Sequence, residues 1–64
     1  METYAMALKA RAMHEDLLTA DTIERFGDAK HSAGYKASAV KKMGELAAAC
    51  GFRLVPLTEQ KEAA

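Results

Sequence analysis

Much is missing from this chain of 64 residues, and each gap removes a class of protein. Cys50 is the only cysteine, so no disulfide can form within the chain. Cys50 and the two histidines, His14 and His31, have neither C-x-x-C nor H-x-x-x-H spacing, so no metal site is expected. No phosphate-binding loop, dinucleotide fingerprint, zinc-protease motif or nucleophile elbow is present. Glu15 and Asp16 are neighbours, but neighbouring side chains on a helix point about 100° apart and make no acid–base pair. His14 beside them reads as a solvated surface histidine. Cys50 closes an apolar stripe at a helix C-terminus, where the negative end of the dipole disfavours a thiolate. No catalytic residue, cofactor or small-molecule substrate is expected, and the chain does not read as an enzyme.

Long apolar runs are also absent. The opening stretch "METYAMALKARAMHEDLL" carries acids beside its bases and has no continuous apolar core, so neither a signal peptide nor a membrane span is expected. With a lone thiol suited to a reducing compartment, the expected location is cytoplasmic.

Formal net charge is zero, but it is unevenly spread. Residues 1–28 hold six acids against three bases, and residues 29–54 hold five bases against Glu45 alone. Neutrality argues against indiscriminate coating of nucleic acid, while the polarity leaves room for one basic face.

What is present points to helices. From Glu2 to Ala20 there is no Gly or Pro, and strong helix formers dominate. Met6, Ala10, Met13 and Leu17 recur on one helical face, while Tyr4, Leu8 and Leu18 fall on roughly the opposite side. Two apolar sides are more than one neighbouring helix covers. Asp21 and Glu24 have capping-box spacing and predict a short helical turn over Thr22–Phe26, stopped by Gly27. The polar, turn-rich stretch from Gly27 to Gly34 reads as a loop. A second long helix is expected from about Ser32 or Tyr35 to Cys50, capped by Ser32 or Ser38. Its apolar stripe comprises Tyr35, Ala39, Val40, Met43, Leu46, Ala47 and Cys50. Gly44 beside that stripe suggests close approach of another backbone.

Gly51 is placed to end this helix, with Phe52 supplying an apolar contact. Phe52, Leu54 and Val55 favour a short strand over residues 52–57, with Pro56 confining it to an edge. No second strand is visible, so the segment either lies on the helices as an extended tail, pairs with its own copy across a two-fold axis, or adds to another protein's sheet edge. Residues 58–64 are expected to fray.

"ELAAACGFRLVPL", residues 45–57, resembles the close of small helix-turn-helix regulators and antitoxin-type proteins, in which a final helix runs into a strand. The tri-helical DNA reader of those proteins has no counterpart upstream, so no DNA-contacting residue is carried over.

The expected fold is mainly α: two principal helices, a short helical turn and one C-terminal extended segment, assembled as a two-fold homodimer. Residues 1–57 form the single domain. A chain this small buries only about 60% of its unfolded surface and usually needs a partner or other staple. The expected function is a non-catalytic binding or regulatory module, with Tyr4, Leu8, Leu18, Gly44, Phe52 and Leu54 facing its own copy or another protein. The alternative is a DNA-binding regulator using Lys30, Lys36, Ser38, Lys41 and Lys42 as a basic ridge on the second helix.

Overall fold

The computed structural model describes residues 1–57, which form two antiparallel helices, α1 (Thr3–Arg25) and α2 (Ala29–Ala49). Helical stability in proteins comes mostly from packing, so the contact between them carries the fold. The expected tail at 58–64 lies outside the described residues.

Helix α1 runs five residues further than Ala20 and absorbs the expected turn at Thr22–Phe26. Asp21 caps nothing. Its carboxylate takes an i,i+4 ion pair from Arg25 Nε at 3.1 Å, because the chain reaches Asp21 already helical. Thr22 Oγ1 donates to the Leu18 carbonyl at 3.0 Å, again from inside the helix. The stop at Gly27 is where the sequence places it. Gly27 has φ +84°, its N–H reaches Glu24 O at 2.9 Å, and the Asp28 N–H reaches Ile23 O at 3.2 Å. These two bonds are the Schellman arrangement.

The expected loop from Gly27 to Gly34 shrinks to a three-residue connection, Phe26 to Asp28. Asp28, and not Ser32 or Ser38, caps α2. Its Oδ1 accepts from the His31 backbone N–H at 3.1 Å, and its Oδ2 lies 2.6 Å from His31 Nδ1. Ser32 instead sits in the first turns of α2, fully buried, with its Oγ short of any hydrogen bond. The far end repeats the first stop: Gly51 has φ +89°, and the Gly51 and Phe52 N–H groups reach Ala48 O and Ala47 O at 3.1 and 2.7 Å.

The expected strand is not formed, and no strand occurs among the described residues. A single extended segment with no partner ladder has nothing to satisfy its backbone as a sheet. Residues 52–56 instead lie along α2, with Val40, Met43, Leu54, Val55, Pro56 and Leu57 lining a shared groove. This is the extended-tail outcome.

The seam between the helices is made of small side chains. Ala20, Ser32 and Ala39 are the fully enclosed residues, with Met6, Ala10, Met13, Ile23, Leu46 and Ala47 half-buried around them. Small residues let two helices approach closely but close off little apolar volume. The broad stripe expected on α2 is therefore only partly covered: Ala39 is buried, whereas Tyr35, Val40, Met43 and Cys50 stay exposed.

Gly44 faces the tail rather than a crossing helix. A Cβ built there would meet only Leu54 Cδ1 at 3.6 Å, an ordinary contact. Gly44→Ala is thus expected to stabilise the fold by about 1 kcal/mol, the helix-propensity difference. Thermal melting followed by circular dichroism checks this, and an unchanged or lower melting temperature would place a second backbone against Gly44.

Candidate functional site

The electrostatic features come from α1 acids meeting α2 lysines. Lys42 Nζ donates to Asp16 Oδ2 at 2.6 Å and to Ser38 Oγ at 2.8 Å, in the most sheltered ion pair of the described residues. Lys9 Nζ donates to Glu45 Oε2 at 2.9 Å near the open end of the hairpin. Lys36 pairs with Glu24 near the turn.

Each bond favours the charged carboxylate. Lys42 holds Asp16 below its ordinary pKa against the cost of desolvation, with lesser help from Ser38. Lys36 lowers Glu24, and Lys9 lowers Glu45. At the cap, the His31 backbone N–H and then its ring lower Asp28. All four are depressed in the folded state. Their contribution is complete above the unfolded carboxylate values of about 4 and is lost as pH falls through the folded ones. The melting temperature is therefore expected to stay level from neutrality to about pH 5 and to drop below about pH 4. A variant carrying Asp16→Asn, Glu24→Gln and Glu45→Gln should keep only the acid step that belongs to Asp28. A full acid step in that variant would locate the titration elsewhere.

The five residues proposed for nucleic acid are separated by this geometry. Lys36 and Lys42 are tied to α1 carboxylates on opposite sides of the seam, and Ser38 accepts from Lys42. Lys30 and Lys41 are exposed and make no ion pair among the described residues. No continuous basic ridge results.

Between the first half of α2 and Asp16 lies an open cleft of about 390 Å³, lined by Asp16, Lys30, His31, Gly34, Tyr35 and Ser38. Three of its polar groups are engaged with residues at its edge: Asp16 and Ser38 hold Lys42, and His31 holds Asp28. No nucleophile is poised against a base in it. Among the described residues no cluster of three or more His, Cys, Asp or Glu is arranged for a metal ion. No helix among them is long and apolar enough to cross a membrane.

The residues proposed for an interface fall in two places. Tyr4, Leu8 and Leu18 are 71%, 49% and 53% exposed, on the side of α1 turned away from α2. Their ridge is interrupted by Arg11 and Glu15, which pair with each other. Gly44 and Leu54 meet inside the chain, where the tail covers α2, and Phe52 projects outward.

A second apolar surface was read from the sequence as core. Leu17, Val40 and Met43 belong to the stripes expected to be enclosed, yet all three are exposed. The signal for their true position is heptad spacing. Ala10, Leu17 and Glu24 form one row, Lys36, Met43 and Cys50 another, and the Glu24–Lys36 pair joins the two rows along one side of the hairpin. No family model, curated protein or solved structure matches the chain, so these surfaces are interpreted from their own chemistry.

Proposed function

We propose that this chain is a small non-catalytic binding module that works as a homodimer and engages another protein through its apolar surface. The observation that supports this is the imbalance between core and surface. Three small residues are fully enclosed, while Tyr4, Leu8, Leu17, Leu18, Val40 and Met43 face outward. Scattered exposed apolar residues are ordinary, but six large ones against a core of three small residues leave apolar surface for a partner to cover. The exposed lone thiol of Cys50 fits a reducing, cytoplasmic setting.

The test is the mass of the chain in solution over a range of concentrations, with helical content read on the same samples. A species of twice the chain mass at micromolar concentration is the expected result. A helical monomer throughout would overturn the homodimer reading.

The DNA-binding alternative draws less support, because two of its lysines are already neutralised by α1. Duplex-DNA anisotropy at two salt concentrations discriminates the readings: binding is expected to be absent even at low salt, where electrostatics are strongest. Micromolar binding that falls steeply with salt and is lost in Lys30→Ala with Lys41→Ala would favour the regulator.

A further inference from the structure

We infer that the cleft between the first half of α2 and Asp16 binds a small aromatic carboxylate, a flat ring bearing one negative charge. This goes beyond the protein-binding reading and does not depend on it.

The first observation is Gly34. It lies inside α2, where glycine is the poorest helix former after proline. The other three glycines serve the fold visibly: Gly27 and Gly51 take positive φ at the helix stops, and Gly44 lies under Leu54. Gly34 does neither. Its φ is not positive, and nothing stands within 4 Å of a Cβ built on it. What the missing side chain leaves is space. Lys30, Gly34 and Ser38 follow one another at i, i+4 and i+8 on one face of α2, and all three line the cleft. A side chain at the middle position would project into it.

The second observation is what the cleft offers. Its volume of about 390 Å³ falls within the roughly 300–1,000 Å³ of small-molecule sites. The lining is mainly apolar, and the 42% exposed ring of Tyr35 supplies a flat face. Beside it the bare backbone of Gly34 admits a planar group close to the helix. Asp16 is neutralised by Lys42, and the His31 ring is taken by Asp28. Lys30 and the Tyr35 hydroxyl have no hydrogen-bond partner among the described residues. The cleft is thus left with one uncompensated positive charge and one hydroxyl beside a carbon-rich wall. A cationic ligand would be repelled by Lys30. A phosphate ester, with about two negative charges, would find one cation for them and the Asp16 carboxylate nearby. A single carboxylate on a flat ring uses every group that is left.

Benzoate is the probe, with benzamide as its neutral counterpart of the same shape and acetate as the charge without the ring. Amide proton–nitrogen spectra of the full chain are followed as each is added to wild type, Gly34→Leu and Lys30→Gln. Benzoate is expected to bind saturably with a Kd of about 1 mM or tighter, moving the amides of residues 30–38. Benzamide should bind about three- to fivefold more weakly, the effect of one exposed charge, and acetate not measurably. Lys30→Gln should bring benzoate down to the level of benzamide. Gly34→Leu should weaken benzoate by about tenfold or more by filling the cleft. The same substitution should raise the melting temperature, because leucine is the better helix former and meets no neighbour. Lost binding in a more stable chain is not a folding defect. Undiminished benzoate binding in Gly34→Leu, equal binding of benzoate and benzamide by wild type, or shifts centred on Val40 and Met43 would each overturn the inference. So would the lack of any saturable shift, or a lower melting temperature in Gly34→Leu, which would return Gly34 to the needs of the fold. None of these results touches the homodimer reading, which the mass in solution decides.

Discussion

Ala39→Leu is expected to lower the melting temperature by roughly 10–20 °C, the largest loss of any single substitution considered for this chain. Ala39 is completely enclosed where the two helices press together. Leucine adds three carbons to a contact that has no room for them. Forcing extra methylenes into a packed contact costs about 1–3 kcal/mol, and more where the backbones must separate. In a domain of this size each kcal/mol moves the midpoint by about 4–8 °C. Against a stability of about 3–5 kcal/mol, that removes most of the folded population. Ala49→Leu, on the exposed side of the last turn of α2, is the control and should change little. Thermal circular dichroism of both variants reads the difference. Equal melting temperatures would mean that the helices are not in close contact at Ala39.

The second large effect is expected at Gly27. With φ +84° it occupies the left-handed region, which costs other residues about 1–2 kcal/mol and β-branched ones more. Nothing lies within 4 Å of a Cβ built there, so the strain is purely conformational and not a clash. Gly27→Val is expected to destabilise the hairpin by about 2 kcal/mol, and Gly27→Asn by distinctly less, since asparagine tolerates this conformation. Chemical denaturation of the two variants measures the gap. Equal losses would show that something other than backbone conformation limits the position.

Both effects belong to features with different visibility in the sequence. The two glycine stops were legible, since each directly follows a long helical stretch and only a left-handed residue closes a helix that way. The helices themselves were legible from composition and spacing. Their junction was not. Asp21 and Glu24 match a capping box by spacing, but a cap also needs a non-helical residue before it, and "LLTA" gives the chain no reason to leave the helix. Asp28, immediately after a stop glycine and three residues before His31, was the real cap signal. The polar character of "GDAKHSAG" hid it, because short helical stretches rich in Ala, Lys and Ser look like loops.

The surface was legible in outline and wrong in assignment. Apolar stripes on both helices were visible, and the natural expectation was that the stronger ones would be enclosed. A seam of Ala20, Ser32 and Ala39 instead takes the enclosed position, leaving Leu17, Val40 and Met43 outside. Periodicity gives the angle of a side chain around its own helix. It does not say which of two apolar flanks the neighbour will cover. The charge polarity between the halves of the chain was equally visible, but its meaning was local: lysines of the second half answer acids of the first across the hairpin.

Those ion pairs also settle how far one helix may slide along the other. The centre of the seam is alanine and serine, with larger side chains only half-buried at its flanks, so packing alone marks the alignment weakly. The charges mark it instead. Lys9, Asp16 and Glu24 along α1 meet Glu45, Lys42 and Lys36 along α2. A shift of about one helical turn that brought Lys9 opposite Lys42 would set two positive charges together and part Asp16 from Lys42. Exposed pairs of this kind add little to stability when counted one by one. Their larger effect is to raise the energy of the wrong alignments, so that a nearly featureless contact still has one register.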